Sequence, residues 1–107
     1  MTKYILFIVA FLISVHSNAW DGSVSGKIHT VDVTGGNNHG FRISLDGGTV
    51  KFCGNDYNWA YLNETDSNYQ AYVAVLLAAK MAEKIVTIYT NKAGDNEYCH
   101  IGYIGMR

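Results

Sequence analysis

The sequence predicts a small, mainly β domain with one helix, in the order β-β-β-α-β-β and closed as a five-stranded barrel. Short β-branched stretches of period two flank one long apolar stretch of helical spacing. Glycine- and asparagine-rich breaks separate them, and the chain has no proline. The helix falls between the third and fourth strands, its place in the OB-fold. The main alternative is an α+β sandwich, with the helix on one face of an open antiparallel sheet.

The N-terminus reads as a leader. Lys3 precedes an apolar run over residues 4–15, interrupted only by Ser14, and Ser17-Asn18-Ala19 supplies small residues for cleavage. We expect a signal peptide over residues 1–19 and a single domain over residues 20–107, periplasmic or secreted. The rival reading, a membrane anchor, needs about 20 apolar residues, and this run is shorter. No membrane span is expected after cleavage. Trp20, not a cysteine, stands directly after the cleavage point, so nothing points to a lipid anchor.

Residues 24–34 alternate and are β-branched, predicting a long first strand. Residues 35–40 (Gly-Gly-Asn-Asn-His-Gly) are a loop by composition. Residues 41–45 alternate as a half-buried strand, and Asp46-Gly47-Gly48 signals a hairpin. It leads into a third strand over residues 49–53, with Val50 and Phe52 on one face. Residues 54–63 read as a loop or irregular edge. Thr65 or Asp66 can cap a helix running to about residue 84. Tyr69, Tyr72, Val73, Leu76 and Leu77 form its large-residue face, expected against the sheet. Ala71, Val75, Ala78, Ala79 and Ala82 form a small-residue face. A helix apolar nearly all round has both faces covered, so the second face predicts an oligomer interface. The plainer reading is alanine tolerated at the surface as a good helix former. Residues 85–90 are a strongly β-branched strand, residues 91–96 a turn, and residues 97–104 the last strand.

Cys53 and Cys99 are the only cysteines. In an exported chain such a pair reads as a disulfide; their spacing fits neither a CxxC redox motif nor a zinc knuckle. Apart from the leader, seven basic residues face nine acidic ones, which argues against nucleic acid or an anionic membrane as partner. A domain this small usually draws on a disulfide or on oligomerisation.

The run from Tyr69 to Lys80 (YQAYVAVLLAAK), then Val86-Thr87-Ile88-Tyr89, then Tyr98-Cys99-His100-Ile101-Gly102-Tyr103-Ile104 carry a resemblance. Together they look like a group of small exported gamma-proteobacterial proteins without an assigned function. More distantly they resemble the B subunit of subtilase cytotoxin. That resemblance covers most of the chain after the leader as an order of elements. It implies an OB-fold, a ring pentamer, glycan binding and a toxic A subunit as partner. The toxin subunits hold sugar near their first strands and on an N-terminal extension. Here the first strand begins almost at once, and the sugar contacts do not match position by position. The resemblance therefore brings no binding residue with it.

No catalytic set emerges from local motifs. His29, His39 and His100 share no metal-ligand spacing, there is no GxSxG, and no glycine-rich loop precedes a helix. We expect no enzyme activity, metal or cofactor. The positive signal is aromatic and amide-rich: Asn55, Asp56, Tyr57 and Trp59 before the helix, with Trp20, Asp21 and Ser23 opening the mature chain. Aromatic faces cover the C–H surfaces of sugars, and amides or carboxylates take the hydroxyls, so these seven are the candidate ligand-binding residues. The same rings could instead be core, where Trp and Tyr bury most of their area. The expected function is a non-catalytic module binding glycans or a cell-surface component as a homo-oligomer. The alternative is a monomeric periplasmic protein that binds or inhibits a partner.

Overall fold

The computed structural model describes residues 19–107; the leader expected over residues 1–19 lies almost wholly outside them. The chain forms β1 (Gly22–Val33), β2 (Phe41–Leu45), β3 (Ala60–Leu62), α1 (Tyr69–Ala82), β4 (Ile85–Ala93) and β5 (Tyr98–Met106). The strands close as a barrel in the order β1-β2-β3-β5-β4, the expected OB-like architecture. Strand β1 makes the closure because it is long enough to serve two neighbours. Its first half pairs with β4 and its second half with β2, with a bulge between Ile28 and Thr30 where it changes partner. Among the described residues the only parallel pairing joins β3 to β5, through Ala60–Cys99 and Tyr61–His100.

Alternation sorts the side chains. Phe41, Ile43 and Leu45 from β2, Ala60 and Leu62 from β3, and Val86 and Ile88 from β4 fill the barrel. Leu76 and Ala79 enter this core from α1, with Tyr69, Tyr72 and Val73 packed at its edge. No helix among the described residues is long and apolar enough to cross a membrane.

Three expectations are corrected. Residues 49–53 are not the third strand. The 3-10 turn Asp46–Gly48 has Gly47 and Gly48 at positive φ, 76° and 81°, but the chain after it does not pair back on β2, whose partner is Ala60–Leu62. Phe52 and Cys53 instead bury as an irregular plug, held by the Phe52 amide donating to the Tyr57 carbonyl at 3.0 Å. The third strand is the three-residue Ala60–Leu62, inside the stretch expected to be a loop. It is too short to display a period.

The helix also starts later than expected. Neither Thr65 nor Asp66 caps it; Asn68, in the left-handed region, stands at the N-cap. Its faces are shifted as well. Leu77 is 42% exposed, whereas Ala79 is fully buried in the chain's own core, so Ala79 cannot serve an interface with a second copy. Ala71, Ala78 and Ala82 are exposed and Val75 half-buried, as an outward small-residue face requires.

The disulfide is as expected. Cys53 and Cys99 are bonded, with Cα atoms 5.5 Å apart, and both are fully buried. The bond ties the irregular plug to β5, beside β3, and is compatible with an oxidising periplasmic or extracellular location.

Candidate functional site

The register across β2, β3 and β5 sets the site. Phe41 pairs with Leu62 and Ile43 with Ala60, both pairs pointing inward, so Arg42 and its partner Tyr61 point outward. Tyr61 in turn pairs with His100 on β5. Arg42, Tyr61 and His100 therefore form one row across the outer wall. Trp59, Tyr98 and Tyr57 stand next to that row. Trp59 lies 4.8 Å from Tyr98 and 6.3 Å from Tyr61 between ring centroids, and Tyr57 lies 5.1 Å from Tyr98. His39, from the β1–β2 loop, sits edge-on to Tyr61 at 4.5 Å and to Tyr98 at 5.1 Å.

This aromatic wall is held by fixed hydrogen bonds. Arg42 Nε donates to the His39 carbonyl at 2.7 Å and its Nη2 to the Asn38 carbonyl at 3.2 Å. The guanidinium then lies 4.8 Å from the centroid of Trp59, a cation–π geometry. The His39 amide donates to Asn63 Oδ1 at 2.7 Å, and the Glu64 amide to the Gly36 carbonyl at 2.9 Å. The β1–β2 loop is thereby pinned to the strand it overhangs. Asp66, released from capping, accepts from the Asn63 amide at 2.7 Å and shares a 2.8 Å hydrogen bond with His100 Nε2. Burial, and secondarily the Asp66 carboxylate, push the Tyr61 phenol above its ordinary pKa.

Beside Trp59 the wall opens into a cleft of about 420 Å³, lined also by Thr30, Asp32, Arg42, Ser44 and Asn58. An indole and a guanidinium stand among hydroxyls, an amide and a carboxylate. That chemistry suits a ligand with hydroxyls at its rim and an apolar face.

The expected ligand residues separate into three groups. Trp59 and Tyr57 belong to the wall. Asn55 supports it from behind: its Nδ2 donates to the Glu97 carbonyl at 3.0 Å and its Oδ1 accepts the Tyr57 amide at 3.1 Å. Asp56 is solvent-facing, 3.4 Å from Lys51, and contributes nothing to the cleft. Trp20, Asp21 and Ser23 lie elsewhere, on the outer wall of β1, β4 and β5, where Ser23 pairs with Tyr89. Arg42, Tyr98, His39 and His100 were not among the expected residues. Arg42 sits at the polar phase of the β2 alternation, and Tyr98 and His100 share one phase of β5, so period-two reading alone offered that signal.

No family model, curated protein or solved structure matches the chain, so the functional reading rests on the site itself.

Proposed function

We propose that this protein is an exported, non-catalytic binding module that takes glycans, or a glycan-bearing cell-surface component, in the cleft where the outer faces of β1 and β2 meet the Trp59 edge of the aromatic wall. The observation that carries the reading is Trp59. It is half-buried in a rigid aromatic wall, stacked by Arg42, and open to a polar-rimmed cleft. In OB-folds the face of strands two and three, with the adjoining loops, is where oligosaccharides and oligonucleotides bind. The chain's slightly negative charge favours the former. Both cysteines, the candidate thiol nucleophiles, are held in a disulfide, in keeping with a binding role.

Glycan-array screening followed by calorimetry tests this. Trp59→Ala should weaken binding at least tenfold, about 1.4 kcal/mol, without changing the secondary structure. A protein that binds nothing on the array, or binds equally well without Trp59, would sink the proposal.

The outer face of α1 supports self-assembly as a second part of the reading. Leu77 and Met81 are 42% and 85% exposed there, beside Ala71, Ala78 and Ala82. A ring, with a pentamer expected, would cover this face. The same exposed pair also fits the alternative, a monomer that covers a partner protein. Native mass by light scattering separates them: a closed multiple of the chain mass favours assembly, and a monomer favours the partner.

A further inference from the structure

The aromatic residues of this barrel do not form one site. Trp20, Tyr89 and Tyr103 make a second cluster, on the wall of β1, β4 and β5. Trp20 lies 5.9 Å from Tyr89 and 6.4 Å from Tyr103, and the two tyrosines lie 5.1 Å apart. No ring contact joins these three to the Trp59 wall among the described residues.

The cluster is built into the backbone. Strand β5 carries one extra residue, Gly102, where the β4–β5 register shifts: Thr90 pairs with Ile101 but Tyr89 with Tyr103. That bulge turns Tyr103 outward beside Tyr89. A Cβ on Gly102 would run into the six-membered ring of Trp20, so the missing side chain is what lets the indole lie on the strand. The Gly102 carbonyl accepts the Tyr72 hydroxyl at 2.8 Å, which fixes the bulge from the helix side. The segment before β1 is fixed too. The Asp21 amide donates to Asn91 Oδ1 at 2.8 Å, and Asp21 Oδ2 accepts the Lys92 amide at 2.8 Å.

The result is a cleft of about 340 Å³ lined by Trp20, Asp21, Ser23 and Tyr89, bordered by Tyr103, which is 54% exposed. Its polar groups are an exposed hydroxyl and a carboxylate. No lysine or arginine lines it. Once the leader is cleaved, the Trp20 α-ammonium stands next to the Asp21 carboxylate, so an anionic ligand would meet no unpaired positive charge. A ligand with a flat C–H face and neutral hydroxyls would meet aromatic surface and acceptors together.

We propose that Trp20, Tyr89 and Tyr103 form a second binding site, for an uncharged pyranose ring, separate from the Arg42–Trp59 cleft. The inference rests on the glycan-binding reading above and extends it to two separate sites on one barrel.

The chain outside the leader has two tryptophans, one at each site, so each can be read alone. The test is a fluorescence titration of the purified, oxidised protein as Trp59→Phe, which leaves Trp20, and as Trp20→Phe, which leaves Trp59. The probes are methyl glucoside, methyl galactoside, N-acetylglucosamine and their disaccharides, with glucuronic acid as the anionic counterpart. We expect a saturable change in Trp20 emission with at least one neutral probe, and a response to glucuronic acid at least tenfold weaker. Adding Tyr103→Ala should weaken the neutral response at least fivefold, while an unchanged circular dichroism melt shows the barrel intact. If Trp59 responds and Trp20 does not, the second site is wrong and the proposed function stands. If neither responds to any sugar, both fall. If Trp20 responds equally to the anionic probe, or the Tyr103→Ala protein binds as before, the site as described here is overturned.

Discussion

Tyr61 is the titratable residue that the wall perturbs most clearly. Its ring is almost fully buried between His39 and His100, and burial with the nearby Asp66 carboxylate raises its pKa above 10.0. The folded state therefore keeps the phenol proton at a pH where the unfolded chain has lost it. Between pH 10 and the raised value the folded state binds more protons, so this contribution to stability is intact below pH 10 and falls as pH rises beyond it. Denaturant midpoints at pH 9 and pH 11 should show a steeper loss for wild type than for Tyr61→Phe. Equal slopes would mean that the phenol is not buried as described. Thr90 poses the opposite case. Its Oγ1 is buried without a hydrogen-bond partner among the described residues. An unsatisfied buried hydroxyl costs about 1–3 kcal/mol, and a methyl group fills the same volume. Thr90→Val should therefore be neutral to stabilising, by about 1 kcal/mol, read as a raised urea midpoint at unchanged m-value.

At the scale of elements, legibility followed length. Strand β1 and α1 repeat their periods often enough for the pattern to show, and their existence and order were readable from residues alone. Strand β3 has three residues, all buried, and no alternation can appear in three. The stretch before it, with Val50 and Phe52 two apart, carried a better strand pattern than the strand itself. That apolar pair serves a buried plug rather than a ladder. The aromatic wall was half legible for the same reason. Trp59 and Tyr57 stand close in sequence, whereas Arg42, Tyr98 and His100 reach them only through pairing across strands. On α1 the apolar composition hid the phase: Leu77 and Ala79 exchange the roles that size alone assigns them. The outward face can be tested directly. Leu77→Glu with Met81→Glu places two charges on exposed positions outside the core, so the fold should hold while any assembly through this face breaks. Light scattering should then show a smaller native mass than wild type. An unchanged oligomer would move the interface elsewhere.

At the scale of the molecule, one covalent bond links stability to the aromatic wall. The irregular chain from the end of β2 to the start of β3 carries Tyr57 and Trp59, and few backbone hydrogen bonds hold it: Phe52 to Tyr57, and Gly54 back to Phe52. Its attachment to β5 is the Cys53–Cys99 disulfide, reinforced where Asn55 reaches the Glu97 carbonyl. The bond closes a loop across a separation of 46 residues, for which restriction of the unfolded chain is worth on the order of 4 kcal/mol. Small domains have about 5–15 kcal/mol in total, so losing the bond should remove much of the stability. It should also act locally. Once the link is gone, the plug can leave the core and take Trp59 out of register with Arg42, Tyr61 and Tyr98. The Tyr89–Tyr103 pair is formed by β-strand pairing, and among the described residues the plug meets the second cleft only at the backbone of Asp21 and Gly22, so the effect there should be smaller. Cys53→Ala with Cys99→Ala, compared with the oxidised protein under conditions where both remain folded, should therefore lower the denaturant midpoint. It should also weaken ligand binding at the Trp59 cleft more than any response reported by Trp20. Equal weakening at both tryptophans would show that the bond supports the barrel as a whole and that the wall does not depend on the plug.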